Sequence, residues 1–72
     1  MKYILGIDGM RCGMCECHVN DIVRKTGLVK SVKSSHRKNQ TVIKSKEEID
    51  IDRIKADIEA LGYHVLTVIK EE

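Results

Sequence analysis

The spacing of apolar residues changes several times along the 72-residue chain, and each change marks an element of secondary structure. Over residues 2–8 every second residue is apolar, with Ile4 as an exception to the alternation. This period of two predicts a strand with one buried face. The residues on the predicted buried face are Tyr3, Leu5 and Ile7.

The apolar residues that follow recur at helical spacing, which predicts a helix over about 14–26. Its apolar stripe consists of Cys15, Val19, Ile22 and Val23. Glu16 and Asn20 fall outside this stripe and are expected on the solvated side. Gly27 follows two cations, a combination typical of a helix C-terminus, because glycine accepts the left-handed conformation of the cap.

The second half of the chain predicts two strands, another helix and a final strand. Residues 28–36 and 40–46 favour strands, and the polar residues between them favour a hairpin turn. Asp50 suits the N-cap of the second helix, and Gly62 suits its end. The β-branched run at 63–69 predicts the last strand. The apolar stripe of the second helix consists of Ile51, Ile54, Ile58 and Leu61.

The order strand-helix-strand-strand-helix-strand predicts an α+β fold, the ferredoxin-like βαββαβ sandwich. Both helices are expected on one face of a four-stranded antiparallel sheet, with the other face wet. We expect residues 1–72 to form a single domain. Its core is almost wholly aliphatic, because the chain contains two tyrosines and neither phenylalanine nor tryptophan.

Composition and charge exclude several classes of function. A net charge of +2 and two aromatic residues give little support to a nucleic-acid surface. No apolar run has the length of a membrane span, so membrane insertion is not expected. The three cysteines are an odd number and lie close together, which argues against a secreted disulfide framework. These features predict a cytoplasmic protein with reduced thiols.

The cysteines lie in the segment 9–18, between the first predicted strand and the first predicted helix. Cys12 and Cys15 are close enough in sequence for both sulfurs to reach one ion, and a helix start favours the thiolate form. Thiolates select Cu(I), Zn(II) and similar ions. Structural zinc prefers four ligands, so a pair on an exposed loop suits Cu(I) better.

Residues 9–15, Gly-Met-Arg-Cys-Gly-Met-Cys, resemble the Gly-Met-x-Cys-x-x-Cys motif of the heavy-metal-associated domain family. This family includes bacterial copper chaperones and the N-terminal domains of copper-transporting P-type ATPases. The resemblance extends to the order of elements and to Gly62-Tyr63, which looks like the family's turn before the last strand. It implies that Cys12 and Cys15 bind Cu(I), that Met10 packs inward and that Tyr63 lies near the loop.

The resemblance also implies a non-enzymatic metallochaperone that passes its ion to a partner by ligand exchange. The expected partner is a metal-transporting P-type ATPase or a metal-responsive repressor. A homodimer bridged by the metal is left open. Arg11, Arg24 and Lys25 are candidates for steering an acidic partner towards the loop, although an ordinary mixed surface explains them equally simply.

Several residues near the motif extend the set of candidate ligands. Cys17 lies roughly 200° around the helix from Cys15 and is expected at the surface, with auxiliary ligation as the alternative. His18 shares a face with Cys15 and is either solvated or a third ligand. Met14 is expected to be an exposed contact for a partner. His36 is interpreted as a strand-end residue.

Three alternatives remain beside the copper chaperone. A carrier of Zn(II) or Cd(II) with the same fold is the nearest, because Cys17, His18 and Glu16 enlarge the ligand set. A sensor domain of a transport ATPase is the second. A thiol-disulfide oxidoreductase is the third, and it is disfavoured because the chain contains no proline to form Cys-Gly-Pro-Cys or a cis-proline opposite the thiols.

Overall fold

A computed structural model describes residues 1–11 and 13–71, so Cys12 and Glu72 lie outside the described part of the chain. The elements are β1 (Lys2–Asp8), α1 (Gly13–Arg24), β2 (Val29–Ser35), β3 (Gln40–Ser45), α2 (Ile51–Ala60) and β4 (His64–Glu71). The predicted order of elements is confirmed. The largest differences are in α1, which ends at Arg24 rather than at residue 26, and in β4, which continues to Glu71 rather than to residue 69.

The four strands form one antiparallel sheet in the order β2-β3-β1-β4. β1 is an inner strand, and its residues Tyr3, Leu5 and Ile7 are buried as the alternation predicted. Buried residues of both helices join them in one hydrophobic cluster. The helices therefore cover one face of the sheet, and the ferredoxin-like fold is confirmed.

The core under the helices is mainly aliphatic. Val19 and Val23 supply the buried stripe of α1, and Ile54 and Ile58 supply that of α2. Tyr3 is the one buried aromatic residue among those described, and its hydroxyl accepts a hydrogen bond from the backbone N–H of Ile49 at 3.3 Å. The phenol can therefore be buried without leaving its polar atom unsatisfied.

The second helix begins where the sequence predicted, and it ends at Ala60, one residue before the end of the predicted stripe. The Asp50 carboxylate accepts a hydrogen bond from the backbone N–H of Arg53 at 3.2 Å, which confirms the N-cap. Gly62 has a φ of 100°, so the chain turns through the left-handed region after the helix. The predicted stripe is wrong at Leu61, which is 52% exposed, because the helix ends at Ala60 and the chain turns away from the core.

The prediction that Glu16 and Asn20 are solvated on the outer side of α1 is also wrong. Both are half-buried, because this side of α1 faces β2. The Ser34 hydroxyl donates to Asn20 Oδ1 at 2.6 Å and lies 2.9 Å from the Thr41 hydroxyl, which is left to donate to Ser34. A polar contact therefore joins α1 to the β2–β3 hairpin on the side of the helix that was expected to face solvent.

The opposite face of the sheet explains why Ile4 broke the alternation. Ile4 pairs with Val42 of β3 and with Ile69 of β4, so the three residues form an apolar row. None of the three is among the buried residues, since no described helix covers this face. Within residues 1–11 and 13–71, no helix combines the length and hydropathy needed to cross a bilayer.

Two substitutions in α2 separate the buried part of its apolar stripe from the exposed part. Ile58 is fully buried, so Ile58→Ala should lower the free energy of unfolding by about 2–5 kcal/mol through lost burial and a residual cavity. Leu61→Ala removes a side chain of the same size from an exposed site and should change it by less than about 0.5 kcal/mol. Urea denaturation measures both values, and equal losses would contradict the described packing.

Candidate metal centre

The loop that follows β1 starts at a glycine whose conformation suits few other residues. Gly9 has a φ of 109°, and a Cβ atom there would lie 3.1 Å from Cδ1 of Tyr63. The backbone of the loop therefore approaches the Tyr63 ring more closely than a side chain at position 9 would allow. The expectation that Tyr63 lies near the loop is confirmed.

Met10, the residue after Gly9, holds the loop against the core. It is 5% exposed and belongs to the same hydrophobic cluster as the buried face of β1. The expectation that Met10 packs inward is confirmed. Arg11, by contrast, is exposed. One side of the loop is thus held by the core while the other faces solvent.

Cys15 lies in the first turn of α1, which begins at Gly13. It is half-buried and packs against the hydrophobic cluster. The N-terminus of a helix carries partial positive charge, which favours a thiolate at this position. Cys12 is outside the described residues, so its pairing with Cys15 at one ion stays a prediction.

The auxiliary candidates are both exposed. Cys17 and His18 follow Cys15 on α1 and lie on its solvent side. Among the described residues, which do not include Cys12, no three His, Cys, Asp or Glu side chains are arranged to hold a metal. Ligation by Cys17 or His18 therefore stays a prediction. Met14 is 70% exposed, as expected for a residue available to a partner.

The structure adds a polar contact that sequence analysis missed. Oε2 of Glu16 accepts a hydrogen bond from the backbone N–H of His36 at 2.7 Å and lies 2.6 Å from Nδ1 of its ring. The two side chains are 25% and 33% exposed. His36 follows β2 and Glu16 lies in α1, so 20 residues separate the partners. No local pattern in the sequence reveals such a pair.

This contact lowers the pKa of the Glu16 carboxyl. The hydrogen bond from the backbone N–H of His36 lowers the pKa of the Glu16 carboxyl most, and the hydrogen bond from the His36 ring lowers it further. The charges of His36 and Arg37 act in the same direction, while burial opposes them. Glu16 is therefore ionised at neutral pH.

The three cations considered for steering do not lie together, because Arg11 precedes α1, whereas Arg24 is the last residue of α1 and Lys25 follows it. Arg11, Arg24 and Lys25 are all exposed. Nη1 of Arg24 lies 3.6 Å from Oδ1 of Asp21, a surface pair that partly compensates its charge. Steering of an acidic partner by these three residues stays a prediction.

Among known protein families, no family model matches the chain. The sequence is 37% identical over 62 residues to a mercuric reductase of Lysinibacillus sphaericus. The aligned part is 86% of this chain but 11% of the reductase, so the chain spans about a ninth of that relative's length.

Two solved structures superimpose on nearly the whole chain. The CopZ metallochaperone has a TM-score of 0.83 and 25% sequence identity, over 92% of this chain and all of the chaperone. The yeast copper transporter domain Ccc2a has a TM-score of 0.84 and 25% identity, over 99% of this chain and 97% of the domain.

The fold and the cysteine-bearing loop define an α+β domain of the ferredoxin-like class. The likeness to the chaperone and to the transporter domain agrees with the motif at residues 9–15. In fold and in motif the chain resembles the heavy-metal-associated domains.

Two glycines offer a matched test of the loop geometry. Gly9→Ala introduces a side chain at positive φ, 3.1 Å from the Tyr63 ring, and should destabilise the fold by about 1–3 kcal/mol. Gly13→Ala meets no atom within 4 Å at the start of α1 and should be neutral or stabilising by up to about 1 kcal/mol. Thermal unfolding of the ligand-free variants compares the two, and equal effects would refute the close approach of Gly9 and Tyr63.

The Glu16 contact predicts a pH dependence of stability. In the unfolded chain Glu16 titrates at the ordinary glutamate value of about 4.5, and its pKa is lower in the fold. Its hydrogen bonds therefore stabilise the fold fully above that ordinary value, and this stabilisation disappears as the pH falls through the lowered pKa. Glu16→Gln should be less stable than wild type near pH ~7, with a difference that shrinks near pH ~3.

Urea denaturation at both pH values measures this difference. Glu59→Gln, which alters an exposed carboxylate on α2, is the matched control and should track the wild type throughout. A Glu16→Gln difference that is constant with pH would count against the lowered pKa.

Proposed function

We propose that the chain is a carrier that binds a soft metal ion through the thiolates of Cys12 and Cys15, with Cu(I) as the leading cargo. The observation that supports this most is the position of Cys15, half-buried at the N-terminus of α1 beside a loop held by Met10 and Tyr63. The likeness to a metallochaperone and to a copper transporter domain agrees with it.

The proposed transfer is an exchange of thiolate ligands. A thiolate of the partner adds to the ion, one of the two cysteine sulfurs leaves, and a second exchange completes the transfer without a change in the oxidation state of the metal. Low coordination favours this route, because an ion with two ligands has room for a third. The proposed partner is a metal-transporting P-type ATPase or a metal-responsive repressor in the cytoplasm.

A second cargo, Hg(II), is favoured by the similarity to the mercuric reductase. Hg(II) is also a soft ion, so the same thiolate pair suits it. Binding of mercury by this chain does not require reductase activity, since the shared region is a small part of that enzyme. Zn(II) or Cd(II) is less favoured, because structural zinc sites have four ligands.

Competition against a Cu(I) chelator under anaerobic conditions tests the proposal. The wild type should take up about one Cu(I) per chain. Cys12→Ser and Cys15→Ser should each weaken binding by more than about 100-fold, since replacing residues that only hydrogen-bond a metal ligand already reduces metal affinity ~10–100-fold. Cys17→Ser is the matched control, because it removes an exposed thiol of the same helix, and it should bind like the wild type.

The same variants titrated with Hg(II) and Zn(II) distinguish the cargoes. Cu(I) as cargo predicts transfer of the ion to a second dithiol protein in the presence of physiological thiols, and retention of Hg(II) alone would favour the second candidate. Undiminished Cu(I) binding in both Cys12→Ser and Cys15→Ser would refute the proposed site. A large loss in Cys17→Ser would instead make Cys17 a ligand.

A further inference from the structure

The first turn of α1 has few apolar contacts of its own. Gly13 and Met14 are exposed, and Cys15 is only half-buried. The first fully buried residue of the helix is Val19, one turn further on. Helix ends with few buried contacts open locally at low free energy. Apolar burial at this turn is therefore limited to the partial burial of Cys15, so other contacts contribute to holding it.

Glu16 supplies a tertiary contact at this point. One oxygen of its carboxylate, Oε2, meets both the backbone N–H and the ring Nδ1 of His36, at 2.7 Å and 2.6 Å. Hydrogen bonds to an ionised acceptor are shorter and stronger than those between neutral groups. The lowered pKa of Glu16 is consistent with such bonds. The contact joins the first turn of α1 to the end of β2.

A second polar contact joins the same two elements one turn later. Oδ1 of Asn20 accepts a hydrogen bond from the Ser34 hydroxyl. Asn20 lies four residues after Glu16 on the helix, and Ser34 lies two residues before His36. Asn20 lies beside Val19, in the part of α1 that the core already holds. Of these two contacts, only the one between Glu16 and His36 acts on the turn of Cys15.

We propose that Glu16 and His36 are positioning residues of the metal centre, which hold the first turn of α1 against the β2–β3 hairpin and so keep Cys15 in its binding conformation before the ion arrives. This inference rests on the proposed function. In this role neither residue is a ligand of the ion. Their effect on affinity comes from the fraction of molecules in which the turn is formed, since the apparent dissociation constant equals the intrinsic one divided by that fraction.

Two substitutions weaken the contact to different extents. Glu16→Ala removes the acceptor of both hydrogen bonds. His36→Phe removes only the ring nitrogen and keeps the backbone N–H, so its effect should be smaller. His36→Asn retains a side-chain N–H donor near the position of Nδ1 and should restore much of the loss. The double variant Glu16→Ala/His36→Phe should behave like Glu16→Ala alone. Once the Glu16 carboxylate is absent, the His36 ring has no contact to lose.

Amide hydrogen exchange of the ligand-free protein measures the restraint directly. The N–H groups of Cys17 and His18 bond back to the carbonyls of the first turn in a regular helix. Their protection should fall by about tenfold in Glu16→Ala, the scale expected for losing a charge-assisted hydrogen bond. Amides of the sheet should change less. Cu(I) affinity, measured by chelator competition, should fall by the ratio of the formed fractions that the exchange rates give for the wild type and the variant.

Asn20→Ala is the matched control, because it removes a side-chain contact between the same two elements without touching the first turn. It should lower overall stability while leaving the protection of Cys17 and His18, relative to the sheet, and the Cu(I) affinity unchanged. Glu16→Ala losing protection equally at all amides, or showing a Cu(I) affinity that does not follow the formed fraction, would overturn the inference.

The outcomes separate this inference from the proposed function. A wild type that binds neither Cu(I) nor Hg(II) refutes the function, and the exchange measurement then decides whether the pair holds the first turn. A wild type that binds, with Glu16→Ala and His36→Phe unchanged in both protection and affinity, refutes the positioning role alone.

Discussion

The structure depends on the burial of one face of β1 beneath two helices. Tyr3, Leu5 and Ile7 lie on an inner strand, and residues from both helices pack on them. The chain is short, so this single aliphatic layer carries most of the hydrophobic stabilisation. The loop that follows β1 starts from this buried strand, and Met10 continues the same cluster. The position of the cysteine-bearing loop is therefore a consequence of the core.

The contact between α1 and the hairpin has a different physical character. Ser34 and Thr41 are paired residues of β2 and β3 that are buried on the face of the sheet covered by the helices. Small polar side chains, and not large apolar ones, occupy this part of the core. Ser34 donates to Asn20 and accepts from Thr41, and none of the buried side-chain polar atoms described is left without a partner. Polar contacts are directional, so they specify the position of a helix more narrowly than aliphatic contact does.

Most of the fold could be predicted from the sequence, and the candidate site in part. The burial of Tyr3 followed from period two, and the Asp50 cap followed from residue type. Leu61 shows the limit of such patterns: it continues the stripe of α2 in sequence, but the helix has already ended. At the site, the motif resemblance indicated the inward packing of Met10. The contact between Glu16 and His36 had no counterpart in the pattern.

By itself the sequence determined the order of the elements, the buried face of β1, most of the buried stripe of each helix and the position of the cysteine motif near a helix start. These are local properties, set by hydrophobic period and turn chemistry within a few residues. Only the tertiary structure decided which polar side chains meet across the layers. Glu16 and His36 are 20 residues apart, and their contact exists because α1 packs over β2. A pattern read along one chain segment contains no information about that distance.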